Sequence, residues 1–332
     1  FGRTSRVLQD PRETVGPWPH GPKSSPDRSF RDVALSQEGA RALVRTDVSL
    51  AAECFLSLLI KPGREEYDFQ AIEDLEGECE LERVDAATPP FRDFAPARAL
   101  FEADASVGIE FCTTLINFAT ERWAEGRRRA GTGWYDSAAP EAAVFRRRND
   151  VPVIRLHVGG VEKLFRGDAA VFRWRSGIWG PHVASAVLMT LEGWLYDAAD
   201  TGSLDHAWLE RLLSTGTSSA MLGLLLDVAL RHPPLLSGPL EPLVGADALY
   251  YLSRLREVEE RPDTALMWWR GPQRSIPRQQ AVDWHTMPHR RTAFEAVVMR
   301  ALVGRGLSWP VLEEARQRWI ARRAASRAEQ VS

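Results

Sequence analysis

The chain has 332 residues, 44% hydrophobic and 26% charged, enough to bury a substantial core and predicting two domains or one elongated helical array. A formal charge of -3 excludes a global attraction to nucleic acid and leaves only local basic patches to consider. Lysine occurs only at Lys23, Lys61 and Lys163, so 39 of the 42 basic residues are arginine, whose rigid fork and aromatic stacking predict salt bridges and Arg–Trp contacts.

The chain opens on Phe1 rather than Met, as expected of a processed chain or an interior portion of a longer one. Residues 1–30 carry Pro11, Pro17, Pro19, Pro22 and Pro26 among glycine and serine, which predicts an extended arm with Trp18 as its anchor. From Asp47 to Ile60, Val48, Ala52, Phe55 and Leu59 follow the spacing of one buried helical face, closed by Pro62-Gly63. Between Glu65 and Glu82 lie nine acidic residues, with Phe69, Ile72, Leu75 and Cys79 at helical spacing. They read first as the solvated face of an amphipathic helix, and second as a docking surface for a basic partner.

Pro89-Pro90 and Pro96 form the next joint. A helix is expected from Ser106 to about Arg128, burying Ile109, Cys112, Leu115, Ile116 and Ala119 and ending in arginines that suit a helix C-terminus. Val151–Val158 reads as a strand or a stiff connector, and Pro152 argues against a central strand. Val171–Trp179 is short enough for a small strand or a helical turn.

After Pro181 the pattern is plainly helical: Val183, Val187, Leu191, Trp194 and Leu195 make one apolar stripe. Ser203 or Asp205 caps the following helix with Trp208, Leu209, Leu212 and Leu213. Thr217 or Ser218 starts a third, with Met221, Leu224, Leu225, Val228 and Ala229 inward, stopped by Pro233-Pro234. Further helices are expected over Ala246–Glu259, Thr292–Val303 and Trp309–Ala324. The fold expected is all-α, an irregular, solenoid-like array of helical hairpins with proline-rich connectors and room for one small β hairpin. Its domains are a 1–30 arm, a mainly helical 31–160 domain and a 161–332 helical array.

Motifs for chemistry are scarce. The sequence has no GxxxxGK[ST] loop, no GxGxxG before a predicted helix, no GxSxG and no HExxH. Asp283, His285 and His289, with Glu295 nearby, come nearest to a metal set, because His285 and His289 stand four apart. Pro288 breaks any helix between them, so both read as structural or loop histidines. His182, His206 and His232 sit near helix ends, where capping suffices. Glu192 and Asp197 lack the spacing of an acid–base pair, and Glu192 is expected to meet an arginine.

Cys54, Cys79 and Cys112 are odd in number and widely spaced, which predicts a reducing, cytoplasmic setting, and Cys54 and Cys112 lie in apolar runs that suit buried thiols. No apolar run approaches the ~18–20 residues of a membrane span. Arg127–Arg129, Arg146–Arg148 and His289–Arg291, with Trp123, Trp134 and Phe145 nearby, are the clusters a nucleic acid would use. Pairing with the acidic 65–82 stretch is the simpler reading. Trp268-Trp269, Trp309 and Trp319 read as core or interface anchors.

From Phe172 onward, over some 60–80 residues that include PHVASAVLMTLEGWLYDAADTGSLDHAWLERLL, the chain resembles a helical region of very large bacterial multidomain NTPases, some linked to defence or signalling. The anchors are Trp174, Ala186, Leu191, Glu192, Trp194, Leu195, Trp208 and Leu209. In such proteins the array follows a nucleotide-binding module and acts as sensor, lever or scaffold. The resemblance therefore implies a helical region without catalytic residues of its own. The expected function is a non-catalytic scaffold or sensor binding a protein partner, with no cofactor, no metal and no membrane. A nucleic-acid-contacting module using the arginine clusters is the alternative, and an enzyme without a recognisable motif is the third.

Overall fold

The computed structural model describes residues 27–61, 75–84, 87, 92–130, 151–177, 180–260, 276–304, 312–321 and 324. The chain is mostly helical, with one two-stranded antiparallel hairpin that is not closed into a barrel. It divides into two compact units. One comprises the described residues of Phe1–Val153, Arg166–Trp194 and Gly216–Met221; the other comprises those of Ile154–Phe165, Leu195–Thr215 and Leu222–Ser332.

The first unit begins with α1 (Arg28–Ala34), α2 (Gln37–Thr46) and α3 (Val48–Leu59). The first 26 residues of the expected arm lie outside the described residues, and its last ones already start α1. Short polar residues punctuate these helices. Ser36 caps α2 through Gly39 N–H, and Asp47 ends α2 while its carboxylate accepts from Leu50 N–H at the start of α3. Helix α3 falls within the expected Asp47–Ile60 span and buries Ala52, Phe55 and Leu59. The acidic stretch is described only from residue 75, as a single turn α4 (Leu75–Glu78) followed by an antiparallel bridge between Leu81 and Ile60. The longer acidic helix expected there otherwise falls outside the described residues.

Helices α5 (Ala95–Ala103) and α6 (Ala105–Ala130) complete the unit's core, α5 packing on α2 and α6 on α3 and α5. Phe55 of α3 meets Phe111 of α6 edge to face, with ring centroids 6.4 Å apart. Phe101 of α5 stacks on Trp194 at 4.7 Å and 11°. The 216–221 segment is fastened to α6 by polar groups. Thr217 N–H donates to Asn117 Oδ1 at 2.8 Å, and the buried Thr120 hydroxyl donates to Ser218 Oγ at 2.7 Å.

Strands β1 (Val153–Val158) and β2 (Val161–Arg166) form the hairpin. Gly159 and Gly160 make its two-residue turn with φ of 58° and 81°, the left-handed values that a tight hairpin needs and only glycine adopts freely. Pro152 lies just outside the ladder. Of the two options for Val171–Trp179, the described residues take the helical one: α7 (Ala169–Phe172) is capped by Asp168, and a 3-10 turn covers Trp174–Ser176.

The expected helices after Pro181 are α8 (His182–Asp200), α9 (His206–Thr215) and α10 (Ser219–Arg231). Of the two expected caps for α9, Asp205 does the capping, accepting from Ala207 N–H at 2.9 Å. The second unit continues with 3-10 turns at Pro233–Ser237 and Glu241–Gly245, then α11 (Asp247–Glu259). It closes with α12 (Ile276–Thr286), a 3-10 turn at Pro288–Arg291, α13 (Phe294–Val303) and a helical run over 312–321. Helix α13 packs on α11 and on the Pro233–Ser237 turn. Tyr250 lies against Phe294 and Trp319, and the Trp319 indole donates to Gly245 O at 2.8 Å, making Trp319 the packing anchor expected of it. Trp268, Trp269 and Trp309 lie outside the described residues.

Gly108 in the first turns of α6 shows packing overriding helix propensity. Alanine there would gain about 1 kcal/mol of propensity. An added Cβ, however, would stand 2.5 Å from the Phe101 ring, which is stacked on Trp194. Gly108→Ala should lower stability by about 1–3 kcal/mol in thermal or denaturant unfolding. Phe101→Leu in the same chain should recover part of that loss.

Candidate functional site

The densest collection of buried ionisable groups lies in the second unit, around Asp227 of α10. The hydrophobic face of α10 drags Asp227 inward with Leu224, Leu225 and Val228, so the carboxylate is fully buried. Two arginines answer it. Arg256 of α11, also fully buried, donates from Nη1 to Asp227 Oδ1. Its Nη2 donates to the backbone oxygens of Thr292 at 3.0 Å and His289 at 3.4 Å. One side chain thus joins α10, α11 and the turn leading into α13. Arg290 places Nη1 3.6 Å from Asp227 Oδ2 and 3.8 Å from Glu260 Oε2, with its guanidinium 4.7 Å over the Trp284 ring.

An aromatic and histidine layer adjoins this ionic cluster. The Tyr196 hydroxyl and His289 Nε2 share a hydrogen bond at 2.8 Å. Tyr196 also contacts Trp284, with centroids 5.8 Å apart, and Arg231 lies 4.7 Å over the Tyr196 ring. Arg231 donates to Asp200 Oδ2 at 2.7 Å, and His232 Nε2 stands 3.3 Å from the other oxygen of Asp200. Burial, reinforced by the positive charge of Arg290, Arg231 and Arg256 and by His232, pushes the His289 pKa down to about 2. His289 is therefore a neutral ring. Burial lowers His232 as well, against the opposing pull of Asp200.

Such a cluster holds helices together, and its groups lack the features of a reaction centre. The carboxylates are occupied by guanidinium groups, and the histidine is held in its neutral form by burial and by the nearby Arg290, Arg231 and Arg256. His285 and His289 are both buried, the first at the end of α12 and the second on the 3-10 turn, so the chain breaks between them where Pro288 was expected to break it. Asp283 is exposed and accepts from Gln279, and Glu295 pairs with Arg254 at 2.6 Å. Among the described residues no three His, Cys, Asp or Glu side chains form a group that could hold a metal ion.

The other sequence candidates scatter. Cys112 and Cys79 are buried and Cys54 half-buried, and none of the three is in a disulfide. Burial raises the Cys54 and Cys112 thiols above their ordinary pKa, the opposite of an activated nucleophile. Glu192 is fully buried and engaged, and Asp197 is exposed. In the Arg127–Arg129 cluster, Arg127 pairs with Asp168 at 2.9 Å and stacks 4.8 Å over Trp123. Arg128 donates to Ala124 O.

Arg146–Arg148, Trp134 and Phe145 lie outside the described residues. The His289–Arg291 cluster is not a basic surface: His289 and Arg290 are buried, which leaves Arg291 alone exposed. Among the described residues of the acidic stretch, Glu82 pairs with Arg31 at 2.8 Å and Glu80 with Arg122 at 3.9 Å. Among the described residues no helix is long and apolar enough to cross a membrane.

Sequence reading missed Asp227, Arg256 and Arg290 as a set. The available signal was a lone acid within the apolar run AMLGLLLDVAL, which requires a buried cation from elsewhere in the chain. Lys163 was missed too. Its Nζ donates to the Leu213 and Ser214 carbonyls at the end of α9, and burial lowers its pKa to about 8. No family model matches the chain, and no curated protein matches it.

Two predictions follow from this geometry. Asp227→Asn leaves two buried guanidinium groups short of one countercharge and should cost about 3–5 kcal/mol in denaturant unfolding. For His289, the unfolded ring takes a proton below its ordinary pKa of 6.5, while the folded ring stays neutral down to about 2. The stability contributed by the neutral ring is complete above pH 6.5 and is lost as pH falls through the window from 6.5 towards 2. Denaturant unfolding measured from pH 7.5 to 5 should fall more steeply for the native chain than for His289→Gln.

Proposed function

We propose that this chain is a non-catalytic helical scaffold or sensor module that binds a protein partner. The reading extends to an irregular, solenoid-like array of helical hairpins working as part of a larger assembly. It is consistent with the likeness of the 172–236 region to the scaffold regions of multidomain NTPases. The observation that carries it is the outer face of α11. Tyr251 is 62% exposed, Val258 is 61% exposed, and Arg254 lies between them at helical spacing. Tyrosine and arginine next to an apolar side chain is the composition that protein interfaces favour. The opposite face buries Leu249, Leu252 and Arg256, so the exposed stripe stands on a helix anchored through the Asp227 cluster.

Three cysteines outside any disulfide suit a reducing compartment, which belongs to the same proposal. The arginines described at 127 and 128 already have partners within their own unit, which favours a protein over a nucleic acid.

The test is affinity capture from native lysate with and without nuclease, comparing the native chain with Tyr251→Asp/Val258→Asp. The expected result is a stoichiometric protein that survives nuclease and is lost, about tenfold or more, with the double variant while its thermal unfolding is unchanged. Capture abolished by nuclease, or capture indifferent to the two substitutions, contradicts the reading.

A further inference from the structure

A groove of about 740 Å³ opens within the second unit, between the end of α10, the Pro233–Ser237 turn, the Pro288–Arg291 turn and α13. Its volume falls in the range of small-ligand sites, roughly 300–1,000 Å³. Pro233, Pro234, Val297 and Ala301 give it apolar walls that ring constraints and helix packing keep in place. No carboxylate is among the described residues lining it, whereas Arg231, Arg300 and His289 are.

The two arginines differ in availability. Arg231 is committed to Asp200 and to the Tyr196 ring. Arg300 is exposed, and among the described residues only its Nε is used, donating at 3.3 Å to Ala296 O of its own helix. That contact orients the guanidinium and leaves both terminal nitrogens to a ligand. Among the described residues no acid forms a salt bridge with it. Arg231, Arg256 and Arg290 are matched by Asp200, Asp227 and Glu260, so the attraction for an anionic head rests on the Arg300 guanidinium.

We propose that this groove binds a small amphipathic anion, with a carboxylate or phosphate head held by Arg300 and an apolar body lying on the Pro233–Pro234 and Val297–Ala301 walls. A planar guanidinium matches either head through paired N–H donors. The apolar walls require the body, so inorganic phosphate or acetate would lack half of the recognition. The site is independent of the partner-binding face of α11, and the two are tested separately.

Isothermal titration of the full chain with octanoate and with octyl phosphate is the test. At least one should bind saturably at one equivalent, and the tighter of the two identifies the head. Arg300→Gln and Ala301→Trp, the first removing the charge and the second filling the groove, should each weaken binding about tenfold. Arg316→Gln, which removes a charge outside the groove lining, should leave it unchanged. Absence of saturable binding by both anions, equally tight binding of octanol, or an unaltered affinity in Arg300→Gln overturns the site.

Discussion

The ion pair between Asp227 and Arg256 is the constraint around which the second unit is arranged. Both side chains are fully buried, and removing two charges from water costs several kcal/mol per ion. That cost is offset only when every polar atom finds a partner of good geometry. Arg256 offsets part of it by reaching, through its two terminal nitrogens, the carboxylate on α10 and two backbone oxygens near the start of α13. The positions of α11 and the Pro288–Arg291 turn are thus coupled to that of α10. A hydrophobic contact would tolerate sliding by a fraction of a turn, whereas a guanidinium with three oxygen partners does not.

The layer beside the pair inherits this order. Because Arg290 must lie near both Asp227 and Glu260, its flat face covers Trp284. Because His289 is buried and lies near three guanidinium groups, the ring stays neutral and can share its hydrogen bond with Tyr196. The first unit is held differently. Its core is mainly aromatic and aliphatic, Phe55 on Phe111 and Phe101 on Trp194, with small hydroxyl and amide contacts at the joints. The first unit also buries two ionisable side chains, Arg175 and Glu192.

Much of the fold is legible from local pattern. Apolar spacing and caps at Asp47, Asp205 and Ser218 place α3, α9 and α10 within a residue or two, because those signals act within one or two turns. The Val171–Trp179 stretch leaves strand and helix open because its alternation is too short to decide; the Asp168 cap makes Ala169–Phe172 helical. The Gly159-Gly160 turn was readable but was passed over beside the ambiguity of Pro152. The site was far less legible. Asp227, Arg256 and Arg290 stand 29 and 34 positions apart in the chain, and in an arginine-rich sequence nothing local says which arginine answers which acid. His289 and Arg290 misled for the same reason: a run of basic residues reads as surface until a buried carboxylate calls it inward.

Native-state hydrogen exchange on the intact chain tests most directly whether the Asp227 network makes the second unit one cooperative body. If it does, the protected amides of residues 222–231, of Asp247–Glu259 and of Phe294–Val303 share one opening free energy and one denaturant dependence. Exchange of α11 or α13 through a separate, lower-energy opening, while residues 222–231 stay protected, would contradict that account.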